Sequence, residues 1–531
     1  MRRYLILFVV PLTGISLLFG FNGTCSPHCP HISFNADTGV ITINLKRMKY
    51  LNSVDERYQS YNIEMVEVVG GEFWRPYKTM DSLPSSASSF DLSNRSQMFR
   101  KLPPLNLSDK RLMNLAKALA PAYVRVSGSW ANTVFFQNND SLQTKVPEGF
   151  VNKLTRSQWK GVIDFVKATD SKLITSFAVS TGVRDPSGVW TAKEAQKIID
   201  FTKSIGGKIA GAELFNEPTI AMAGGVDTNY DGRSFAKDIA VFKSWARKEV
   251  PDMFLLGPGS TAEGIPGQNF AGILKHFIST DSLMAPEPKP LFDVFSYHYY
   301  GAMSKRVMRS GPYSIKAENA LDPGWIQRTD VVAGYYKRLR DEYNPGIPLW
   351  VTETAEASQG GDPFAATYVD CFRYLYQLGS LAKKGVQVVM HNTLAASEYS
   401  LVDQDTHQPK PNYWAALLWA KLMGTKVYEA GKGASGVYLF AHNMKWHRDG
   451  ITLLVLNTNK SPITIHIASG GEQYTMSSNN LQSDHVQLNG EELKLRDDDT
   501  LPIVKGKKIA AGNTVLPAAS ITFITIKPVG K

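Results

Sequence analysis

Residues 209–218 read Ile209-Ala210-Gly211-Ala212-Glu213-Leu214-Phe215-Asn216-Glu217-Pro218, an apolar run that ends in an Asn-Glu-Pro motif. An apolar run of this length, followed by a proline, predicts a buried strand. A second apolar run, 349–352, is followed directly by Glu353. Two glutamates therefore stand at the C-terminal ends of two predicted strands, and a fold that gathers such strand ends would bring the two acids together.

These two runs belong to a longer alternation of strands and helices. Strand-like runs occur at 60–66, 122–126, 173–179, 209–215, 253–256, 294–298, 349–352 and 386–390. Helical periodicity occurs at 107–119, 156–169, 192–204, 233–248, 267–278, 326–342, 365–383 and 412–423. This alternation predicts an α/β protein with a (β/α)8 TIM barrel. Catalytic groups of such barrels lie at the C-terminal strand ends, so Glu217 and Glu353 are expected at one mouth.

The chain is too long for one compact unit, at 531 residues, and its character changes after Gly424. Short strand-like runs at 437–442, 451–457, 463–468 and 521–526 are separated by polar turns, which predicts a β-sandwich. The alternating run 41–45 precedes the barrel and is expected to add a strand to that sandwich. We therefore predict a signal peptide at 1–24, a joining segment at 25–50, a catalytic barrel at 51–425 and a sandwich domain at 426–531.

The N-terminus has the pattern of a secretory signal. Arg2 and Arg3 precede an apolar run, 4–21, that contains Pro11 and Gly14. The alternatives are an uncleaved membrane anchor and a lipid attached to Cys25. After residue 30 no apolar run reaches the roughly 20 residues of a membrane-spanning helix. The expected location is secreted, periplasmic or at the cell surface.

The remaining composition narrows the partners. The net charge of +10 suits an anionic partner such as an acidic polysaccharide, and equally suits solubility alone. No basic tract with interleaved aromatic residues indicates nucleic-acid binding. Cys25 and Cys29 could pair across a short loop, whereas Cys371 is expected in the core. We expect no metal and no cofactor.

The two glutamates suit retaining glycoside hydrolysis, in which one carboxyl protonates the leaving oxygen and the other attacks the sugar carbon. That chemistry requires carboxyl groups about 5–5.5 Å apart. Glu217 would begin protonated and Glu353 ionised. Arg125, at the end of strand two, is expected to pair with Glu353 and keep it ionised. Glu356 is the nearest rival as nucleophile, but it lies three residues beyond Glu353 and past the predicted strand.

Two further groups of side chains are candidates for sugar binding. Asn216 is placed to bond the sugar 2-hydroxyl, and Glu64, at the end of strand one, to bond another hydroxyl. Candidates for stacking on sugar rings are Trp74, Trp130 and Trp190, for which core packing is the favoured alternative.

Several segments together resemble glycoside hydrolase family 79, the family of heparanase and related β-glucuronidases. They are 123–128 (YVRVSG), 213–218 (ELFNEP), 296–300 (SYHYY), 350–361, 399–403 (YSLVD), 412–414 (NYW), 424–427 (GTKV), 486–490 (VQLNG) and 500–502 (TLP). The segment between Phe136 and the following helix is short and holds no long excisable linker. The resemblance is therefore closer to single-chain microbial members.

The resemblance implies roles for individual residues. Glu217 would be the acid/base and Glu353 the nucleophile, which agrees with the reading of the residues alone. The family's sugar pocket implies His298 and Tyr300 after strand six and Tyr399 after strand eight. It also implies a backbone glycine pair, Gly360 and Gly361, after the nucleophile.

Three functions are open at this point. The leading one is a secreted retaining hydrolase of β-glucuronide linkages, acting on a glucuronide or a glucuronic-acid-containing glycan, either from the chain end or internally as heparanase does. The second is another clan-related barrel glycosidase, such as a xylosidase or arabinofuranosidase. The third is a non-catalytic carbohydrate-binding relative, which the presence of both acids disfavours.

Overall fold

The computed structural model describes residues 32–35, 40–43, 48–80, 95–141 and 145–527. The predictions for the signal peptide, Cys25 and Cys29 lie outside these residues. Within them, no helix is long and apolar enough to cross a membrane. Cys371 is a free, buried cysteine, as expected from its apolar surroundings.

The strands, in chain order, are β1 (Ile32–Asn35), β2 (Val40–Ile43), β3 (Tyr50–Ser53), β4 (Gln59–Glu64), β5 (Gly71–Trp74), β6 (Phe99–Leu102), β7 (Ala122–Ser127), β8 (Val134–Gln137), β9 (Asn152–Thr155), β10 (Ser171–Ser176), β11 (Ile209–Glu213), β12 (Phe254–Ser260), β13 (Val294–Met303), β14 (Leu349–Ser358), β15 (Val388–His391), β16 (Met423–Tyr428), β17 (Val437–Met444), β18 (His447–Asn457), β19 (Ile463–Ile467), β20 (Gly471–Ser477), β21 (Gln487–Leu488), β22 (Glu491–Glu492), β23 (Lys507–Ile509), β24 (Gly512–Leu516) and β25 (Ser520–Ile526).

The α-helices are α1 (Met65–Val69), α2 (Arg95–Met98), α3 (Lys110–Ala118), α4 (Arg156–Ala168), α5 (Lys193–Ser204), α6 (Gly232–Glu249), α7 (Thr280–Met284), α8 (Pro323–Ile326), α9 (Arg328–Tyr343), α10 (Tyr368–Lys383) and α11 (Pro411–Leu422).

Eight parallel strands close into a barrel in the order β4-β7-β10-β11-β12-β13-β14-β15, with β15 pairing back to β4. The predicted TIM barrel is thus confirmed. The register sets key side chains beside one another: Asn62 faces Arg125 across β4 and β7, and His298 faces Glu353 across β13 and β14. Because all eight strands run in one direction, their C-terminal ends form a single mouth.

The helices around the barrel form where a capped start precedes an apolar stripe. In α4, Thr155 caps the first turn and Gln158 returns the bond, forming a capping box. Trp159, Val162 and Ile163 then lie buried on one face, at helical spacing. The indole of Trp159 donates to Thr202 on α5 at 2.7 Å, so that neighbouring helices are joined through a buried hydrogen bond.

The structure corrects several predicted boundaries. The helix predicted at 267–278 is absent, and α7 begins only at Thr280. Gly267 has a positive φ of 78°, and the side chain of Asn269 caps a single turn that ends at Gly272. Local turn geometry therefore outweighs the apolar spacing in this stretch. The first barrel strand ends at Glu64 rather than at 66, because Glu64 and Glu67 form a capping box that starts α1.

The C-terminal region is a sandwich of two sheets. One sheet has the order β1-β2-β19-β24, and the other has the order β22-β21-β20-β25-β18-β17-β16-β3, with β23 paired to β20. Ile41, Ile465 and Leu516 from the first sheet share a buried cluster with Leu453 and Ile524 from the second. The N-terminal segment therefore contributes strands to the sandwich, as expected. Strands β3 and β16 lie at the two predicted domain boundaries, near residues 50 and 425, and pair with each other. The exact positions of these boundaries therefore remain a proposal.

Helix α10 joins the two parts of the molecule. The Tyr368 hydroxyl donates to the carbonyls of Met476 and Ala519 in the sandwich, at 2.8 and 3.0 Å. A side chain at Gly379 would collide with the ring of Phe440, so this helix packs against β17 at a distance that only glycine permits. The same helix packs between the sandwich and β14, the strand that carries Glu353.

Candidate active site

Arg125 is the centre of the polar cluster at the barrel mouth. Its side chain is buried, with 1% exposed. The guanidinium donates to Glu213 at 2.8 and 2.9 Å, to Glu353 at 2.9 Å and to Asn216 at 2.7 Å. The predicted pairing of Arg125 with Glu353 is therefore present, and Glu213 is its second acidic partner. Coulombic attraction to the acids raises the pKa of Arg125 despite its burial, so the group stays charged.

Glu217 and Glu353 lie on opposite sides of a narrow gap. A carboxylate oxygen of each residue lies within 4.8 Å of the other. Glu353 lies inside β14, whereas Glu217 lies four residues beyond the end of β11. Glu217 has a left-handed backbone, with φ 57° and ψ 58°, an unusual conformation for a residue other than glycine. This turn places the Glu217 carboxyl beside the neighbouring strands.

His298 lies between the two glutamates, but closer to Glu217. Its Nδ1 lies 3.0 Å from Glu217 Oε1 and 3.8 Å from Glu353 Oε2. Arg125 Nη2 lies 3.3 Å from Nε2, with its two hydrogens directed at shorter distances to Glu213 and Asn216. His298 therefore forms its shorter contact with Glu217 rather than with Glu353.

A tyrosine pair lies on the other side of Glu353. The Tyr300 hydroxyl donates to Glu353 Oε1 at 2.6 Å and accepts from Asn392 at 3.0 Å. Asn392 also donates to the hydroxyl oxygen of Tyr399 at 3.2 Å and to Glu64 at 3.1 Å. Tyr300 has thus committed its hydrogen to Glu353. Tyr399 accepts here and keeps its hydrogen available for another acceptor.

The charge state of Glu353 follows from these contacts. Burial acts to raise its pKa, but attraction to His298 and Arg125 and the hydrogen bonds from Tyr300 and Arg125 outweigh burial. The pKa of Glu353 lies below its ordinary range as a result. Glu353 is therefore ionised at neutral pH.

Glu64 and Glu67 behave in the opposite way. Burial, followed by repulsion from Glu353, raises the pKa of Glu64 well above its ordinary value. Burial likewise raises the pKa of Glu67 to about 8. Glu64 lines the cavity, and its Oε2 is buried without a hydrogen-bond partner among the described residues. A protonated Glu64 beside an ionised Glu353 has a free oxygen that a ligand hydroxyl could use.

The glycine pair lies in a tight turn after β14. Gln359, Gly360 and Gly361 have φ values of 53°, 89° and 79°, so three successive residues adopt a conformation that favours glycine. Arg306 donates to the carbonyl of Gly361 at 2.6 Å, and Ser397 donates to that of Gly360 at 3.0 Å. Gln359 lines the cavity, whereas the two glycines lie beside it, packed against Trp74 and Tyr399.

The mouth of the barrel holds a cavity of about 840 Å³. Glu217, His298, Glu353, Tyr300 and Tyr399 all line it. Trp74 and Trp130 also line the cavity, while Trp190 is buried and packs in the core. The structure thus brings the predicted residues to one site, with Arg125 and Asn216 buried beside it.

A cation is the alternative occupant of the gap, because Glu217, His298 and Glu353 offer three ligand atoms within 4.8 Å. Arg125 already donates to Glu353 Oε2, the oxygen that lies 3.8 Å from His298 Nδ1. A cation there would meet the guanidinium charge at short range, so this geometry favours acid–base chemistry.

Two residues central to the site escaped the sequence argument. Glu213 accepts from Arg125, Ser296 and Thr352, and its side chain is 1% exposed. The position of Glu213, an acid inside an apolar run next to the predicted barrel mouth, could have identified it. Asn392 follows β15 immediately and contacts Glu64, Tyr300 and Tyr399. Nothing local distinguishes it from an ordinary loop asparagine.

Comparisons with known proteins agree with this geometry. A family model described as "Glycosyl hydrolase family 79, N-terminal domain" matches residues 78–379, a range that includes Arg125, Glu217 and Glu353. Heparanase of Bos taurus is 28% identical over 487 residues, which cover 79% of this chain and 85% of the relative. Inactive heparanase-2 of Homo sapiens is 26% identical over 514 residues, which cover 80% of this chain and 83% of that relative.

A solved structure shares the fold. The 4-O-alpha-L-rhamnosyl-beta-D-glucuronidase from Fusarium oxysporum 12S superposes with a TM-score of 0.57 and 13% sequence identity. The match covers 90% of this chain and 97% of that chain. At this identity the likeness concerns the architecture alone.

Replacing Arg125 tests whether the cluster depends on this cation. In Arg125→Met, Glu213 and Glu353 remain buried without their positive partner, so we expect a loss of about 3–5 kcal/mol in the free energy of unfolding. Lys337→Met is the control, because Lys337 pairs with Asp341 on the exposed surface of α9, where a loss below about 1 kcal/mol is expected. Urea denaturation measures both. Equal losses would contradict the assignment.

Proposed function

The chain belongs to glycosyl hydrolase family 79, and from that premise we propose that it is a retaining β-glucuronidase with Glu217 as acid/base and Glu353 as nucleophile. The observation that carries the proposal is the gap of less than 4.8 Å between their nearest carboxylate oxygens. Retaining enzymes hold the two carboxyl groups about 5–5.5 Å apart, whereas inverting enzymes leave about 6.5–9.5 Å for a water molecule.

The surroundings of Glu353 suit a nucleophile. Arg125 and Tyr300 hold its two oxygens by hydrogen bonds and keep the carboxylate ionised. One oxygen attacks the anomeric carbon while the bond to the leaving oxygen breaks. Glu353 becomes a neutral ester in this step, so its negative charge no longer acts on neighbouring groups.

Glu217 supplies the proton in the first step and recovers one in the second. It protonates the leaving oxygen as the glycosidic bond breaks, and then takes a proton from the water that hydrolyses the ester. A hydrogen bond with His298 Nδ1 fixes one Glu217 oxygen, which leaves the other to face the substrate. Asn216, oriented by Arg125 through its carbonyl oxygen, keeps its amide hydrogens for the 2-hydroxyl.

Recognition of a uronate carboxylate is assigned to the side of the cavity beyond Glu353. Tyr399 has a hydroxyl hydrogen to donate, because its oxygen accepts from Asn392. The backbone of the 359–361 turn lies beside Tyr399 and is fixed through its carbonyls by Arg306 and Ser397. Tyr300, whose hydrogen is bound to Glu353, is excluded from this role. Secretion remains a prediction from residues 1–24.

A panel of aryl glycosides tests the proposed substrate. The aryl β-glucuronide is expected to be hydrolysed with a kcat/KM at least about a hundredfold above that of the matching β-xyloside and α-arabinofuranoside, since these lack the carboxylate that Tyr399 would bind. Preferential cleavage of a pentoside would support the clan-related alternative, and no hydrolysis of any glycoside would support a non-catalytic relative.

Conservative variants test the two roles. Glu353→Gln is expected to lower kcat at least about a thousandfold, because the amide cannot attack, and Glu217→Gln by about 10²–10⁴, the usual contribution of a general acid. Glu356→Gln is the matched control on the same strand. Burial, followed by repulsion from Asp362, raises the pKa of Glu356 well above its ordinary value, so the amide resembles the protonated side chain already present. Its activity should stay within a few-fold of wild type.

Leaving-group dependence distinguishes the acid/base from the nucleophile. Glu217→Gln should retain more activity on a glucuronide whose phenol leaves without protonation than on one with a poor leaving group. Glu353→Gln should lose both activities alike. The opposite pattern would exchange the two assignments, and unchanged rates in either variant would refute them.

The hydrogen bond from Tyr300 predicts a shift in the pH dependence. Loss of that bond in Tyr300→Phe removes support for the ionised form, so the pKa of Glu353 should rise toward its ordinary range. Because the nucleophile must be ionised, the acidic limb of kcat/KM moves to higher pH. Tyr297→Phe is the control, since its buried hydroxyl has no partner among the described residues. A limb that moves equally in both, or not at all, would count against this account.

A further inference from the structure

The half of the cavity near Glu217 is where the leaving group must lie, because Glu217 protonates the leaving oxygen. This step rests on the proposed function. Two side chains of that half, Ile220 and Met222, follow Glu217 directly on the turn Pro218–Gly224. Three more apolar side chains of the cavity, Ile265, Phe270 and Leu274, follow β12, the barrel strand that pairs with β11. These five residues form what we call the apolar wall.

The described lining of this cavity is acidic rather than basic. The chain as a whole carries 58 Lys and Arg against 48 Asp and Glu, yet none of the cavity-lining residues in the described part of the chain is Lys or Arg. Five carboxyl groups line the cavity instead: Glu64, Glu72, Glu217, Glu263 and Glu353. Arg125 lies beside them, but its donors are committed to Glu213, Glu353 and Asn216.

A sulfated sugar does not fit these surroundings. A sulfate is permanently negative, and binding it out of water requires cations or several hydrogen-bond donors. Here it would meet carboxyl groups and no Lys or Arg among the described lining residues, and the donors near Tyr399 are already assigned to the uronate carboxylate. Sugar hydroxyls would fare little better against the apolar wall, because a buried hydroxyl without a partner costs free energy. Glu263, the acid next to the wall, already accepts from Thr280 and Tyr335.

We propose that the leaving group of the natural substrate is an uncharged aromatic alcohol that packs against the apolar wall, rather than a sulfated sugar. An aromatic ring packs favourably against apolar side chains such as Phe270, Ile220, Ile265 and Leu274, which all line the cavity, and needs no charged partner. Met222, which is 41% exposed, closes the wall at its outer edge with an adaptable side chain. The enzyme is in this view an aryl glucuronidase.

Two substrates that differ by one charge test the proposal. These are 2-naphthyl β-glucuronide and its 6-sulfo derivative, whose phenols have similar acidity. We expect kcat/KM to be at least about tenfold higher for the neutral substrate, with most of the difference in KM. Added salt should reduce the difference, because it screens the repulsion between the sulfonate and the carboxylates. Equal or faster hydrolysis of the sulfonated substrate would overturn the proposal.

A substitution on the wall provides the matched control. Met222→Arg places a cation at the exposed edge of the wall, so the preference for the neutral substrate should fall at least about threefold. Met222→Gln introduces polarity without charge and should leave the preference near that of wild type. If the arginine and glutamine variants changed the preference equally, charge would not be the determinant.

A binding measurement separates this inference from the proposed function. Free 2-naphthol and 2-naphthol-6-sulfonate can be titrated into the Glu353→Gln enzyme by calorimetry, without any turnover. The neutral naphthol is expected to bind at least about fivefold more tightly, and tighter binding of the sulfonate would overturn the inference. If no glucuronide is hydrolysed by wild type, the proposed function fails, while this titration still decides the nature of the leaving-group site.

Discussion

The site depends on one buried cation between two buried acids. Arg125 joins Glu213 on β11 to Glu353 on β14 from its own position on β7, so three strands of the barrel meet at one guanidinium. Burying two acids and one cation costs desolvation free energy, which additional hydrogen bonds to each acid offset. Ser296 and Thr352 donate to Glu213, and Tyr300 donates to Glu353. Glu213 accepts hydrogen bonds from part of the guanidinium group, so Arg125 contacts Glu353 through Nη1 alone. Glu353, the proposed nucleophile, is thus held by a cation that Glu213 also binds.

The loops above the strands extend this arrangement toward the substrate. Asn392, just after β15, connects Glu64, Tyr300 and Tyr399 and so sets which hydroxyl hydrogens are free for a ligand. Arg306 connects the turn after β14 to the carbonyl of Arg75, in the loop after β5, at 2.8 and 3.0 Å. One half of the cavity is consequently polar and fixed, whereas the apolar wall follows Glu217 and β12. This division matches a reaction in which a charged sugar stays on the enzyme while an uncharged alcohol leaves.

The sequence was sufficient for the barrel because apolar runs and amphipathic helices alternate with little interruption. It also placed Glu217 and Glu353 at one mouth, since parallel strands must end together. It failed at 267–278, where Asn269 and the neighbouring glycines form a turn that apolar spacing does not reveal. It could not show that His298 bonds Glu217, because that contact depends on a left-handed residue after β11. The different hydrogen-bonding roles of the Tyr300 and Tyr399 hydroxyls depend on Asn392. Asn392 is about 90 residues downstream of Tyr300, so no local sequence pattern connects the two residues.

The anomeric configuration of the first product shows whether the two carboxyl groups act in two successive displacements. Hydrolysis of an aryl β-glucuronide can be followed by proton NMR before the released sugar equilibrates. Two inversions at the anomeric carbon restore the original configuration, so β-glucuronic acid is expected to appear first. Initial release of the α anomer would mean a single displacement by water, and would contradict the assignment of Glu353 as a nucleophile that bonds to the sugar.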